Sequence, residues 1–540
     1  MGSLYMRMGD AIHAAPLLEE SLVVTRETLG EGAPDYADRL HSLGSLYLDL
    51  EEYTDAEEPL LEAVQIYESL GDEYSGSYET ALYSLGTNYR LMGEYARAEE
   101  IMGRVAELEE SRDTSEDPDY AYTLNQLAIL HYSDDEFDEA REYFERALTE
   151  WDAATQGVPD SFTTQLLFNL ADALVQLIEY DEATARIEEA VAIHESTVRD
   201  APADAAYNLG ELAWLYQQMQ FNEDALGLCQ RALSICHDAL SAEKEIVHAD
   251  LATFSTTLSS LGSRFLELAE MASAIEAGRL LLAVEERLHG VLHWKFTDAL
   301  LELRETQQMA ALLPAELDEL ERADALIEYA RELRDEGNHD GALAQMNEAY
   351  QAYRGVLGPT HRETIGAMIE LAGLRESLGD LAGAEVHYAD SVRLRELLLG
   401  TRHPDYSLVV SWLAEVYTNL GDFAQAERYF LLACEIDEEI YGRDHSWYAD
   451  DLQQLAEVYN LTDEPAKGMP VAVEAAQIFK RLGGEENEDY LASLNLQAIF
   501  YHKLRDYEQA RTIHQHVMQQ QLALYGEKDG GYITRLHNLA

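Results

Sequence analysis

Residues 407–441, SLVVSWLAEVYTNLGDFAQAERYFLLACEIDEEIY, decide the fold. Apolar residues fall at helical spacing on both sides of Leu420-Gly421-Asp422, so the stretch predicts two helices joined by a tight turn. Gly421 can take the left-handed conformation that ends the first helix, and Asp422 can cap the second. Ala414 and Ala426 are expected where the helices cross, because a larger side chain there would force them apart. Tyr417, Phe423 and Phe430 are expected to fill the space around the crossing. Each such side chain contributes roughly 1.5–3 kcal/mol when fully buried. One pair cannot cover its own apolar faces, so neighbouring pairs must stack.

The same phrase, L-[GA]-x-L-Y or a decayed form, recurs along the whole chain. Its small residue stands at Gly2, Gly44, Gly86, Ala128, Ala171, Ala213, Gly262, Ala330, Ala372, Ala414, Ala456, Ala498 and Ala540, a 42-residue step with few exceptions. A second small residue follows twelve places later, from Ala14 and Ala56 through Ala426 to Gly468 and Ala510. Between units a turn phrase repeats: LGPTH at 357–361, LGTRHPDY at 399–406 and YGRDHSWY at 441–448. Its glycine ends one helix and its histidine step opens the next. His289 and His293, with Glu285 and Glu286 nearby, have metal-ligand spacing, yet LHGVLHW aligns with this junction and predicts a structural role.

The spacing stretches furthest, to 68 residues, between Ala274 and Ala342. Residues 293–313 read as a helix without a recognisable partner, and Pro314 opens another that runs to about Glu336. The expected organisation is a sub-array at 1–290, an irregular helical junction at 291–325 and a second sub-array at 326–540. Unit 449–490 has decayed: Pro465 suits a helix start, whereas Pro470 is expected to shorten or kink the helix.

The chain carries 103 Asp and Glu against 37 Lys and Arg, a formal net charge of −66. Such a surface repels phosphates and anionic lipid, which argues against nucleic-acid and membrane partners. An acidic, lysine-poor chain suits a high-salt cytoplasm, and equally a surface selective for basic partners; the sequence leaves both open. No apolar stretch approaches the roughly 20 residues of a membrane span. The start, MGSLYMRMGDAIHAA, has no secretory features. Cys229, Cys236 and Cys434 cannot build a disulfide framework, so a cytoplasmic location and buried thiols are expected. There is no P-loop, H-E-x-x-H, G-x-S-x-G or C-x-x-C. No catalytic, cofactor or metal residue is assigned.

The L-[GA]-x-x-Y of the first helix and the G-[DE]-[YF]-x-x-A leading into the second resemble the tetratricopeptide repeat family. The 42-residue period and the G-x-x-H-P-[DE] junction are similar to its kinesin-light-chain type, which in bacteria is also joined to CHAT-peptidase or nucleotide-binding signalling domains. The resemblance implies an all-α fold, a right-handed α-solenoid superhelix of about twelve antiparallel helix pairs. It further implies a non-catalytic scaffold that binds a protein or peptide segment in its concave groove, lined by first helices. The alternative is a sensor arm whose effector, such as a protease, lies outside this sequence.

Groove positions relative to the small residue select Tyr83, Tyr122, Asn125, Phe168, Tyr207, Trp214 and Asn495 as a peptide-binding set. The asparagines echo those of kinesin-light-chain grooves, and rings of this kind can equally pack against the next repeat. None of the groove positions holds lysine, so the clamp by which some relatives hold a terminal carboxylate is absent. Both ends fall mid-helix and lack a polar cap. The expectation is that the protein continues beyond them or pairs with a second copy through them.

Overall fold

The computed structural model describes residues 11–50, 52–110, 118–242, 246–484 and 487–525. These form helices without a strand, in two compact units, Met1–Leu280 and Leu281–Ala540. In the first unit α1 (Ala11–Leu29) precedes the hairpins α2 (Pro34–Asp49) with α3 (Tyr53–Leu70), and α4 (Ser75–Leu91) with α5 (Tyr95–Glu110). There follow α6 (Pro118–Ser133) with α7 (Phe137–Ala154), α8 (Ser161–Gln176) with α9 (Tyr180–Thr197), and α10 (Pro202–Gln218) with α11 (Asn222–Ser241). The last pair is α12 (His248–Glu267) with α13 (Met271–His289), whose second helix runs past Leu280.

The second unit has a single helix, α14 (Trp294–Met309), and then α15 (Pro314–Asp335) with α16 (His339–Val356). Four more pairs complete it: α17 (Arg362–Ser377) with α18 (Leu381–Leu399), and α19 (Pro404–Leu420) with α20 (Phe423–Tyr441), then α21 (Ser446–Leu461) with α22 (Pro465–Gly483), and α23 (Glu488–Lys503) with α24 (Tyr507–Tyr525). The first helix of a pair is A and the second B. The outermost sequence anchors, Gly2 and Ala540, lie outside the described residues.

The small residues sit where A and B cross. Ala128, Ala171, Ala213, Ala414, Ala456 and Ala498 have no exposed surface, nor do Ala56, Ala98, Ala140 and Ala426 from the B helices. The glycines show why larger groups are excluded. A Cβ on Gly44 would fall 2.5 Å from Leu60 Cγ, and one on Gly86 2.9 Å from the Met102 side chain. Gly468 replaces the alanine of the decayed unit because the Phe500 ring of the next A helix lies over it, 2.2 Å from where a Cβ would stand. Phe430 is fully buried beside Ala414 and Ala426, with Tyr417 and Phe423 packed at the edge of that cluster.

Neighbouring repeats are also bonded by position. The A-helix tyrosine three residues after the anchor donates its hydroxyl to the glutamate beside the small residue of the preceding B helix. Tyr89 reaches Glu57 at 3.1 Å, Tyr417 reaches Glu385 at 3.1 Å and Tyr459 reaches Glu427 at 2.8 Å.

Gly421 takes the left-handed conformation and Asp422 accepts from the Gln425 N–H, as the sequence predicts. The junction histidines have a defined task. Each caps the helix that follows it, its Nδ1 accepting the N–H two residues on: His293 from Lys295, His361 from Glu363, His403 from Asp405 and His445 from Trp447, at 3.1–3.3 Å. His289 stacks on His293 with centroids 4.5 Å apart, and no metal-binding group of three occurs among the described residues.

The junctions also hold α14. Gln308 donates to the Leu357 carbonyl, Glu305 binds Arg362 through the guanidinium and the backbone N–H, and Asp298 accepts from His403 Nε2 at 3.1 Å. The helix that lacked a partner by sequence is therefore seated on two inter-repeat turns. Pro470 does not shorten its helix. Helix α22 runs 19 residues, the same as α20, because Pro470 stands in its second turn and removes a single backbone bond close to the unpaired helix start. The three cysteines are buried free thiols.

Candidate functional site

Side chains six before, three before and one after the anchor lie along one stripe of each A helix, since these offsets differ by three and four residues. In the first unit this stripe opens into two clefts. The first, about 560 Å³, lies between α4, α5 and α6 and is lined by Tyr83 and Tyr122 with Glu79, Glu109 and Asp119. Burial raises the Tyr83 hydroxyl pKa above its ordinary value, so the ring presents a protonated phenol. Tyr122 keeps 39% of its surface exposed while its ring also packs on Phe162 and Trp151, with centroids 4.2 and 5.2 Å away. Trp151 Nε1 in turn donates to Asp160, the residue that caps α8, so the wall of this cleft is fixed to a helix start.

The second cleft, about 390 Å³, lies between α8, α9 and α10. Phe168 and Tyr207 form its apolar walls, with Gln165, Asn169, Asn208 and Glu211 as polar lining. Glu211 is held by Arg264 at 3.2 Å. His194 reaches in from α9, and burial pushes its pKa down to about 4, so it faces the cleft as a neutral imidazole.

The structure thus brings Tyr83 to Tyr122 and Phe168 to Tyr207. Trp214 is half-buried on α10 and lines neither cleft. Asn125 is buried, its carbonyl oxygen accepting from Asn169 at 3.2 Å, a bond between successive A helices. Asn495 is half-buried on α23, with its amide oxygen enclosed and without a hydrogen-bond partner. Glu79, Glu109, Asp119 and His194 line the clefts without having been selected by sequence. The carboxylates carried no signal in so acidic a chain, and His194 belongs to a B helix, outside the stripe that the repeat rule reads.

A tetratricopeptide repeat family model matches residues 1–69, 77–149, 321–397 and 405–467, together more than half of the chain. The chain belongs to the tetratricopeptide repeat family. Solved structures similar to this tetratricopeptide array include the nearly identical TPR-like repeats of a kinesin light chain from Podosopora anserina, at 18% identity and TM-score 0.35, covering 38% of this chain and 98% of that one. BtubC (BKLC) from P. vanneervenii is 21% identical with TM-score 0.31, covering 42% of this chain and 82% of that one. The apo form of RapI is 16% identical with TM-score 0.38, covering 53% and 96%. A search of curated proteins finds no match. Among the described residues no helix of the array is long and apolar enough to cross a membrane.

Proposed function

We propose that this array is a non-catalytic scaffold that holds a protein or peptide segment along the A-helix face of its first unit. The observation that carries the reading is the pair of clefts walled by Tyr83 with Tyr122 and by Phe168 with Tyr207. In each, two rings from successive repeats face a space of side-chain size, with polar groups beside them. Rings supply contact area at low entropy cost, and an amide such as Asn208 both donates to and accepts from a peptide backbone. Such a binder fixes a segment by alternate side chains, one per cleft, without bond-making chemistry.

The test is a random peptide library without arginine or lysine, panned against the full chain, with enriched peptides measured on variants. Tyr83→Ala and Tyr207→Ala are expected to weaken enriched peptides at least tenfold with helix content unchanged by circular dichroism. Enriched peptides that bind both variants as tightly as the parent would overturn the reading.

A further inference from the structure

The A-helix face of the second unit is built differently. Glu376 on α17, Glu415 on α19, Asp450 on α21 and Asp489 on α23 fall at offsets that continue the same stripe, one carboxylate per repeat, and Asp451 stands beside Asp450, one residue off it. They are electrostatic neighbours in order: Glu376 acts on Glu415, Glu415 on Asp451, Asp450 on Asp451, and Asp489 on Asp450. Among the described residues none of the five has an ion-pair partner; Glu376 accepts from the neutral Asn419 amide and Asp451 from the Ser411 hydroxyl.

A second observation concerns the carboxylates buried beside the stripe. Asp451 is 5% exposed and Asp437, behind it on α20, is 3% exposed. Ser411 donates to one oxygen of Asp451 at 2.7 Å, and the other, Oδ2, is enclosed without a partner; Oδ1 of Asp437 is in the same condition. An enclosed carboxylate oxygen without a donor is costly unless a ligand supplies one. Burial together with the like charges beside them raises the pKa of Asp437, Asp450, Asp451 and Glu415, that of Asp450 to about 6. An arriving positive charge would reverse that push.

We infer that the stripe Glu376–Glu415–Asp450–Asp489, with Asp451 beside it, is the docking surface for a basic, extended protein segment, its arginine or lysine side chains seated at successive A helices. The inference rests on the scaffold reading above and narrows it to a chemical class in the second unit. Arginine suits the Asp450 position, where its planar guanidinium can pair with an exposed carboxylate.

A chain of this charge attracts any polycation, so the test compares variants of equal charge. The probe is a fluorescein-labelled peptide of four Arg-Gly units, titrated by anisotropy into the full chain at about 0.15 M salt, where charges beyond roughly 8 Å are screened. Glu415→Gln with Asp450→Asn is expected to weaken binding at least tenfold. Asp340→Asn with Glu435→Gln, exposed carboxylates off the stripe, is expected to change it less than twofold. Binding to the parent should also release protons, seen as a dependence of the calorimetric heat on the buffer's ionisation enthalpy, and the stripe variant should release fewer. Equal weakening in the two double variants, or none in the stripe variant, would overturn the inference. Tyr83→Ala with Tyr122→Ala should leave this probe unaffected, so failure of the first-unit clefts and failure of the stripe are read separately.

Discussion

The two units share one repeat and differ in how they finish it. At the A-to-B turn the second unit places Gly337, Gly379 and Gly421, all at positive φ, and only Asp463 and Arg505 depart from glycine. The first unit forces Asp135, Ile178, Gln220 and Ala269 into the same left-handed region, with glycine at Gly93. The second caps successive A helices with junction histidines, whereas α8 of the first uses Asp160. On the A-helix face the first unit sets rings beside its carboxylates, Tyr83 and Tyr122 with Glu79 and Asp119, whereas the second carries Glu376, Glu415, Asp450 and Asp489. Repeat geometry therefore depends on the small residues at the crossing, while turn and face residues are free to vary.

Core substitutions offer the largest test of that division. Phe144 in the first unit and Phe430 in the second are each 1% exposed. Phe144→Ala and Phe430→Ala should each cost about 3–5 kcal/mol. Hydrogen exchange resolved by peptide should show faster opening chiefly in the unit that carries the change. Equal acceleration in both would mean that the two open as one cooperative body.

Acid should separate the units by sign. His194 in the first has its pKa depressed by burial to about 4, and His41 is also depressed by burial. Their contribution is complete above the unfolded histidine value near 6.5 and is lost as pH falls toward 4; for His194 this amounts to up to about 2 kcal/mol at pH 5. In the second unit the raised carboxyls of Asp437, Asp450, Asp451 and Glu415 bind protons more readily folded than unfolded, so acidification from pH 7 toward 5 stabilises it. His293, His361 and His387, depressed by burial, work against that gain, as the raised carboxyls of Glu52 and Asp172 work against the loss in the first unit. Exchange rates at pH 7 and 5, corrected for intrinsic chemistry, should rise in the first unit and fall in the second. His194→Gln should blunt the first response and Asp450→Asn the second.

The turn gives the smallest effect. Ile178, a β-branched residue at φ 64°, sits in a conformation that costs roughly 1–2 kcal/mol. Ile178→Gly should therefore stabilise the first unit by about 1 kcal/mol in urea unfolding, and Gly421→Ile should weaken the second by a similar amount. If Ile178→Gly destabilises, packing of the isoleucine outweighs the backbone.

Much of this was legible in the sequence. Gly44, Ala414 and Gly468 announced the crossings because the facing helix leaves little or no side-chain room there, and the G-x-x-H phrase announced helix ends and starts. That the histidine itself is the cap required Nδ1 geometry, which residue type alone does not carry. Asn125 was placed on the right helix, but its bond to Asn169 depends on side-chain direction across two repeats. Helix α14 looked partnerless because its hydrogen-bond partners, Leu357, Arg362 and His403, stand at helix ends and turns and make no periodic apolar pattern. Glu415 stood at a groove position in plain view, but an acidic residue carries little information in a chain of net charge −66.

The most direct test of the central claim is hydrogen exchange of the full chain with and without a library-enriched peptide. The account predicts slowed exchange in the A helices α4, α6, α8 and α10, with the outer B-helix surfaces unchanged. Protection confined to B helices, or absent from these four, would contradict it.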